Sequence, residues 1–339
     1  MLPSGPARVQ QTNQKALYQT TQAPGLALSA VQSARLDRFV VDSNPYGAID
    51  AALAVPPSPT LIIQGGTIGG GLYALRATGD VNAPSGQVSV DGTRFANAES
   101  GISAQHFTDF SLTHARLDSI PYRQSSVGVL INDVANVSLA DDTLSDGVDA
   151  GIEVDQANVV AVQRVTVRGF RDSCGECGDY ALTLNGIQTS ALVYGGRLEQ
   201  NQLFGGAVFN SGAATFTFDS MAVVGNSGRG LQVTVPTTVR QSVFQANGTG
   251  VAVFSGGEST AIQNNNFIGN GFAVTNGTAT LDAPNNWWND PLGPSGCSAC
   301  NIASTGDPVS ENVIFTPVLG APYGSAPLPA PRRLSRGRP

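Results

Sequence analysis

Only 13% of the 339 residues are charged, and the net charge of −7 hides a tail in which Arg332, Arg333, Arg336 and Arg338 crowd the end of the chain. The rest is more acidic than the total, which argues against nucleic acid as the main partner. No run of 18 apolar residues could span a membrane as a helix, and 40 Gly with abundant Ser, Thr and Asn suit a turn-rich β protein.

In chain order, residues 1–46 are polar and rich in Gln and Thr, and they are expected to be a linker or the remnant of an upstream region. Met1 to Pro6 has neither the basic start nor the apolar core of a secretion signal. The expectation is therefore an exported or cell-surface piece of a longer protein. Residues 47–84 are expected to form an N-terminal cap and the lead-in strands, with a short helix over Gly47 to Leu53 and a strand at Leu61–Ile63. A cap is required because an open coil end exposes apolar surface and unpaired strand edges. Residues 85–320 carry the main domain, and the Pro- and Arg-rich residues 321–339 are expected to be disordered.

Between Gly101 and Trp288 one pattern recurs. An apolar residue is followed by Asn three positions later and then by Gly: Leu198 and Asn201, Val223 and Asn226, Phe244 and Asn247, Phe267 and Asn270. Aligning on the apolar residue extends the series back through Val167, Leu144 and Leu117 and forward to Trp287. Such a period without a helical pattern marks a solenoid. A second mark is alternating apolar residues closed by a small polar one, as in Val129-x-Ile131-Asn132 and Ile152-x-Val154-Asp155. That is a strand with one face buried. Stacked in register, Asn132, Asp155, Asn185 and Asn210 form one column and Asn201, Asn226, Asn247 and Asn270 another. The amides at these turns bond backbone and one another, a structural role.

These units resemble the right-handed parallel β-helix repeat proteins of the pectin-lyase-like superfamily. Asn285-Asn286-Trp287-Trp288-Asn289-Asp290-Pro291-Leu292-Gly293-Pro294 is similar to the Asn-Asn-Trp-Trp ending of bacterial members, with Asn289 where Gly is usual. Val313 to Leu319 is similar to their final strand, with Val318 where an aromatic is usual. The resemblance implies an all-β, right-handed, single-stranded parallel β-helix of about eight coils with a short N-terminal cap. It leaves activity open, because this fold carries lyases, hydrolases, epimerases, adhesins and spacers.

The densest chemistry is acidic. Asp133, Asp141, Asp142, Asp146, Asp149, Glu153 and Asp155 follow one another without a basic residue between Arg123 and Arg164. Three readings stand. Asp141, Asp142, Asp149 and Glu153 could hold calcium, which takes six to eight oxygen ligands. A calcium site beside Arg164 or Arg168 as base would resemble a pectate-type lyase. Alternatively Asp141 and Arg164, both three residues before the aligned apolar position, are a cross-coil ion pair. They then belong to a solvated corner that runs His114, Asp141, Arg164, Gly195, Ser220, Gln241, Asn264. No polygalacturonase or epimerase signature is complete, and Lys15, the single lysine, lies outside the coils.

Two Cys-x-x-Cys pairs, Cys174/Cys177 and Cys297/Cys300, suggest zinc by spacing. They lie several coils apart at about 4.8 Å per coil, so two local disulfides fit better, with zinc and free thiols as the alternatives. Trp287 and Trp288 are expected to plug the last coil rather than to stack on sugar. The reading that results is a monomeric, exported or cell-surface module, non-catalytic, that presents a face to a polysaccharide or cell-envelope component. The alternative is a calcium-assisted polyuronate lyase or other carbohydrate-active enzyme. No membrane span, nucleic acid partner or certain cofactor is expected.

Overall fold

The computed structural model describes residues 8–12, 26–29, 33–41, 48–53, 58–118, 127–173, 179–278, 280–324 and 327. Alternation dictates the architecture. In Ala150–Gln163 the residues Ile152, Val154, Ala157, Val160 and Val162 turn inward and are buried. Each such strand has parallel neighbours in the coils before and after it, as Val129 pairs with Ile102 and with Ile152. The result is an all-β parallel solenoid of about nine turns with no helix in the described residues.

Every coil contributes to three faces. Sheet 1 collects the first halves of Ser100–Thr113, Val127–Ala140 and Ala150–Gln163, then Tyr180–Ile187, Gly205–Gly212, Arg229–Val233, Thr249–Val253 and Phe272–Asn276. Sheet 2 collects the second halves of those long strands, then Ser190–Tyr194, Thr215–Asp219, Thr237–Arg240 and Ala261–Gln263. Sheet 3 is built from three-residue strands, from Arg94–Ala96 through Thr166–Arg168 to Asn266–Ile268.

The corners obey backbone sterics. His114, Asp141, Arg164, Gly195, Ser220, Gln241, Asn264 and Asn285 all turn with φ between 51° and 68°. This single left-handed residue swings the chain from sheet 2 into sheet 3, and polar side chains there stay in solvent. One residue further on, the side chain points inward. Asn286 Oδ1 accepts from Asn265 N–H (2.9 Å), Asn265 Oδ1 from Ser242 N–H (3.0 Å) and Ser242 Oγ from Met221 N–H (3.1 Å).

The corner from sheet 3 to sheet 1 holds the amide column. Asn201 Nδ2 donates to Asn226 Oδ1 (2.9 Å), Asn226 Nδ2 to Asn247 Oδ1 (3.0 Å), and Asn247 Nδ2 to Asn270 Oδ1 (3.0 Å). Asp307 ends the series by accepting from Asn270 Nδ2 at 2.8 Å. All four amides are buried.

The two ends differ from expectation. Ile49–Ala52, read as part of a short helix, is a strand in register with Leu75–Thr78. Its alternate residues Ile49 and Ala51 are buried as in later coils. The solenoid also reaches into the expected linker. Leu26–Ser29 pairs with Ile49–Ala52, Ser33–Val41 pairs with Thr60–Gly69, and Arg8–Thr12 lies antiparallel on Ser33–Asp37. At the other end the alignment on Trp287 shifts by one residue. Trp287 bridges Asn266, while the fully buried Trp288 stacks on Phe267 at 5.0 Å and prolongs the Phe244–Phe267 stack. Asn286 has taken the inner corner position, so the indole that plugs the coil is the second one.

Candidate functional site

The four candidate metal-holding carboxylates are distributed over two corners and the face of sheet 1. Asp141 stands at the solvent-facing turn between sheets 2 and 3. There Arg164 Nε and Nη2 donate to its two oxygens at 2.6 and 2.7 Å. This fork holds the Asp141 carboxyl below its usual range and raises the Arg164 guanidinium. Asp142 points into the coil. Its Oδ1 accepts the Ala115 N–H (2.8 Å), its Oδ2 has no partner, and burial pushes its pKa up to about 7. Asp149 is buried at the corner between sheets 3 and 1, where it accepts from Ser173 N–H (3.1 Å). Glu153 lies on sheet 1, its pKa raised by burial and then by Asp155 and Asp179. Arg168 is exposed on sheet 3, in register with Ser145 and Glu199. The structure thus joins Arg164 to Asp141 and gathers no four of these residues around one point.

Another acidic group forms instead. Oxygens of Asp149, Asp172 and Asp179 lie within 4.8 Å of one another. Desolvation, then Asp149 and Asp172, raise the pKa of Asp179. Asp172 and Asp179 flank the stretch that holds Cys174 and Cys177, and both cysteines fall outside the described residues. Cys297 and Cys300 are joined by a disulfide.

Asp172 also forms one end of an open cleft of about 630 Å³. The cleft runs along the outside of the corner whose inside is the amide column. Its lining includes Gln202, Phe204, Ser227, Arg229 and Thr249, each a few residues beyond an Asn of that column or beside it. Local sequence makes the groove. At Gly228 a Cβ would stand 1.9 Å from the Phe204 carbonyl oxygen, and at Gly248 2.8 Å from the Gly228 oxygen. The backbones therefore stack tightly on the floor, and the larger residues that follow stand up as a rim.

The rim is aromatic and cationic. The Arg229 guanidinium carbon lies 4.4 Å from the centre of the Phe204 ring and 5.0 Å from that of Phe254. Both rings are more than a third exposed. Gln232 Oε1 accepts from Arg229 Nη1 (2.8 Å) and from the Tyr180 hydroxyl (2.7 Å). Tyr180 meets Phe204 edge to face at 5.7 Å. Beneath this layer Val208 and Ala252, in register with Gln232, are buried although they face outward. Among the described residues no carboxylate forms an ion pair with Arg229. The arrangement offers flat apolar faces and hydrogen-bonding groups side by side.

Neither Phe204, Arg229 and Phe254 nor Asp172 and Asp179 stood out in the sequence. The usable signal was positional. Phe204 and Arg229 each stand three residues after a column Asn, where a side chain must point out of the corner. Asp172 and Asp179 flank the cysteine loop inside the longest repeat interval.

A family described as "Periplasmic copper-binding protein (NosD)" matches residues 83–298, most of the solenoid, and the chain belongs to that family. Neither the curated proteins nor the solved structures give a match.

Proposed function

We propose that this member of the NosD family is a non-catalytic module of the cell envelope that binds an uncharged saccharide in the cleft under Phe204 and Arg229. The family is described as periplasmic and is a parallel β-helix family. No helix of the described structure is long and apolar enough to cross a membrane. The observation that carries the reading is Arg229 held between two exposed aromatic rings at the lip of an open cleft. A sugar ring has apolar faces and a polar edge. Phe204 and Phe254 suit the faces, while Arg229, Gln202, Ser227 and Asp172 suit the hydroxyls.

Charge decides between neutral and acidic saccharides. Asp172 lines the cleft, Asp149 and Asp179 stand beside it, and the chain carries a net −7. Such a field repels a polyuronate chain. A polyuronate lyase would further need an arginine base and metal-holding carboxylates in one groove. Arg164 is instead forked onto Asp141 at the corner between sheets 2 and 3, whereas Glu153 lies on the face of sheet 1.

The family description names copper, which favours thiolate, thioether and imidazole donors. His106 and His114 turn at different corners, and Nδ1 of each lies 3.0 Å from an aspartate, Asp133 and Asp91. Met221 is buried, its sulfur accepting the Gly196 N–H at 3.0 Å. Asp149, Asp172 and Asp179 offer oxygen alone, which suits hard cations. The remaining soft donors of the described structure are Cys297 and Cys300, bonded to each other.

The saccharide reading is tested by affinity electrophoresis of the intact chain in gels containing a neutral glucan, a mannan or polygalacturonate. Retardation by a neutral polymer, weakened at least tenfold in Phe204→Ala/Arg229→Ala, is expected. Equal migration with and without every polymer, or retardation unchanged in the double variant, would remove the cleft from the function.

A further inference from the structure

Sheet 3 changes character toward its C-terminal end. In each of its three-residue strands the central residue points inward, so the two flanking residues face out. One flanking column begins with Arg94 and Arg116, both exposed, and ends with Arg197, Ala222, Val243 and Asn266. Ala222, Val243 and Asn266 are buried although they face outward.

The C-terminal segment of the chain reaches this face. Leu319 N–H donates to the Asn286 carbonyl oxygen at 3.1 Å, and one coil nearer the N-terminus Tyr323 meets Asn266. Asn266 Oδ1 accepts from Tyr323 N–H (2.7 Å) and Asn266 Nδ2 donates to the Tyr323 carbonyl oxygen (3.1 Å). One amide thus holds both main-chain groups of a single residue. Gln241 Nε2 adds a bond to the Tyr323 hydroxyl at 3.2 Å. On either side the hold is slight. Gly320, Ala321, Pro322 and Gly324 are exposed, and a Cβ at Gly320 or Gly324 would meet nothing within 4 Å.

The fit is also incomplete. Gln245 Oε1, in the strand of Val243, and Arg197 Nη2 are both cut off from solvent and without a partner. Arg197 uses only its Nε, which donates to Glu199 at 3.2 Å. From Asn266 to Arg197 is three coils, or about 14 Å at 4.8 Å each, which an extended chain covers in about four residues. The fourth residue after Tyr323 is Pro327, which has neither an N–H nor a side-chain acceptor. Residues 324–339 contain no Asp or Glu.

We infer that this face of sheet 3 is a docking site for an extended peptide segment of a partner protein. The segment places Pro-Tyr over Asn266 and Gln241 and a carboxylate, four residues on, against Arg197. The chain's own Pro322-Tyr323 occupies the first half of the site and leaves the second half unanswered. The site lies on sheet 3 and does not depend on the saccharide cleft. A partner gains where the resident segment fails, because an unpaired buried donor or acceptor is costly and a carboxylate on a guanidinium is a charge-assisted pair. Tethering favours the resident segment, so the partner binds by displacing it.

The test uses the whole chain and anisotropy titrations of two fluorescein-labelled peptides. One is Ala-Pro-Tyr-Gly-Ser-Ala-Glu; the other, Ala-Pro-Tyr-Gly-Ser-Ala-Pro, repeats residues 321–327. The first should bind roughly tenfold more tightly than the second. Arg197→Ala should erase that preference, Asn266→Ala should weaken both peptides, and Tyr323→Ala, which loosens the resident segment, should tighten both. The first peptide should also speed chymotryptic cleavage after Tyr323 in wild type, as the residue leaves Asn266. Equal affinity for the two peptides, a preference that survives in Arg197→Ala, or no binding to Tyr323→Ala would overturn the proposal.

Discussion

The two inner corners of the coil solve one problem with different side chains. Between sheets 3 and 1, Asn201, Asn226, Asn247 and Asn270 form an unbroken relay to Asp307. Between sheets 2 and 3 the relay exists only at the C-terminal end, through Ser242, Asn265 and Asn286, while Asp142 stands earlier as an isolated carboxylate. An amide accepts from the coil before it and still donates, onward as from Asn265 Nδ2 to Asn286 Oδ1 at 3.1 Å, and back to carbonyls of the preceding coil. Asn265 and Asn286 give protons to the Val239 and Ile262 carbonyls at 3.0 and 2.8 Å. An ionised carboxylate only accepts, so Asp142 Oδ2 is left bare in the interior. A buried ladder tolerates amides at every rung and penalises a carboxylate at any rung but the last.

The largest effect expected from this comparison comes from cutting the complete relay. Asn247→Leu removes the acceptor of Asn226 N–H and Nδ2 and the donor to Asn270 and to the Val223 carbonyl. With buried groups left unpaired at about 1–3 kcal/mol each, a loss of roughly 3–5 kcal/mol is expected. Urea unfolding measures it, and an unchanged midpoint would show that the column carries no stability.

Repairing the incomplete corner comes next, and its sign depends on pH. Asp142 titrates near pH 7 in the fold and near 3.9 in the unfolded chain. Below about pH 4 it is neutral in both states and costs nothing. Its penalty grows as pH rises to 7 and is complete above, on the order of 4 kcal/mol for a shift of this size. Asp142→Asn should therefore stabilise the fold by roughly 2–4 kcal/mol at pH 8 and hardly at all at pH 4. Melting curves at the two pH values check this; an equal gain at both would assign the effect to packing rather than charge.

The outside of the amide corner should respond differently from its inside. Phe204→Ala and Arg229→Ala should each weaken saccharide binding several-fold and shift the unfolding midpoint far less than Asn247→Leu does. A large stability loss with affinity intact would turn the aromatic rim into a packing device. The smallest effect is expected at the outermost position. Arg164→Ala removes a fork between exposed partners at a solvated turn, where ion pairs contribute little. Its melting temperature should match wild type within error, and a clear drop would mean that the polar column at that turn bears load.

Much of this architecture was legible because it is local and repeated. Alternation in Val129-x-Ile131 or Ile152-x-Val154 assigns the inward face wherever the strand is placed. The Asn spacing names the corner, and the polar column through Asp141 and Arg164 follows from alignment alone. Three features were less legible. Ile49-Asp50-Ala51-Ala52 reads as helix or strand over so few residues, and pairing with Leu26–Ser29 and Leu75–Thr78 makes it a strand. Trp287 and Trp288 are adjacent, and a one-residue shift exchanges inside for outside. The acidic run looked like one patch because its members are neighbours in sequence, yet the sheet 3 strand Thr143–Ser145 and the corner after it separate Asp141 from Glu153.

By itself, then, the sequence determined the solenoid, its repeat and its inner ladders, since these need only a strand's period and the hydrogen-bonding capacity of an amide. The tertiary structure decided which side chains meet. Asp149 with Asp172 and Asp179, and Phe204 with Arg229 and Phe254, come from successive coils. Their proximity depends on the stacking register and on how far each loop reaches beyond its corner, and neither is encoded in the spacing of any single repeat.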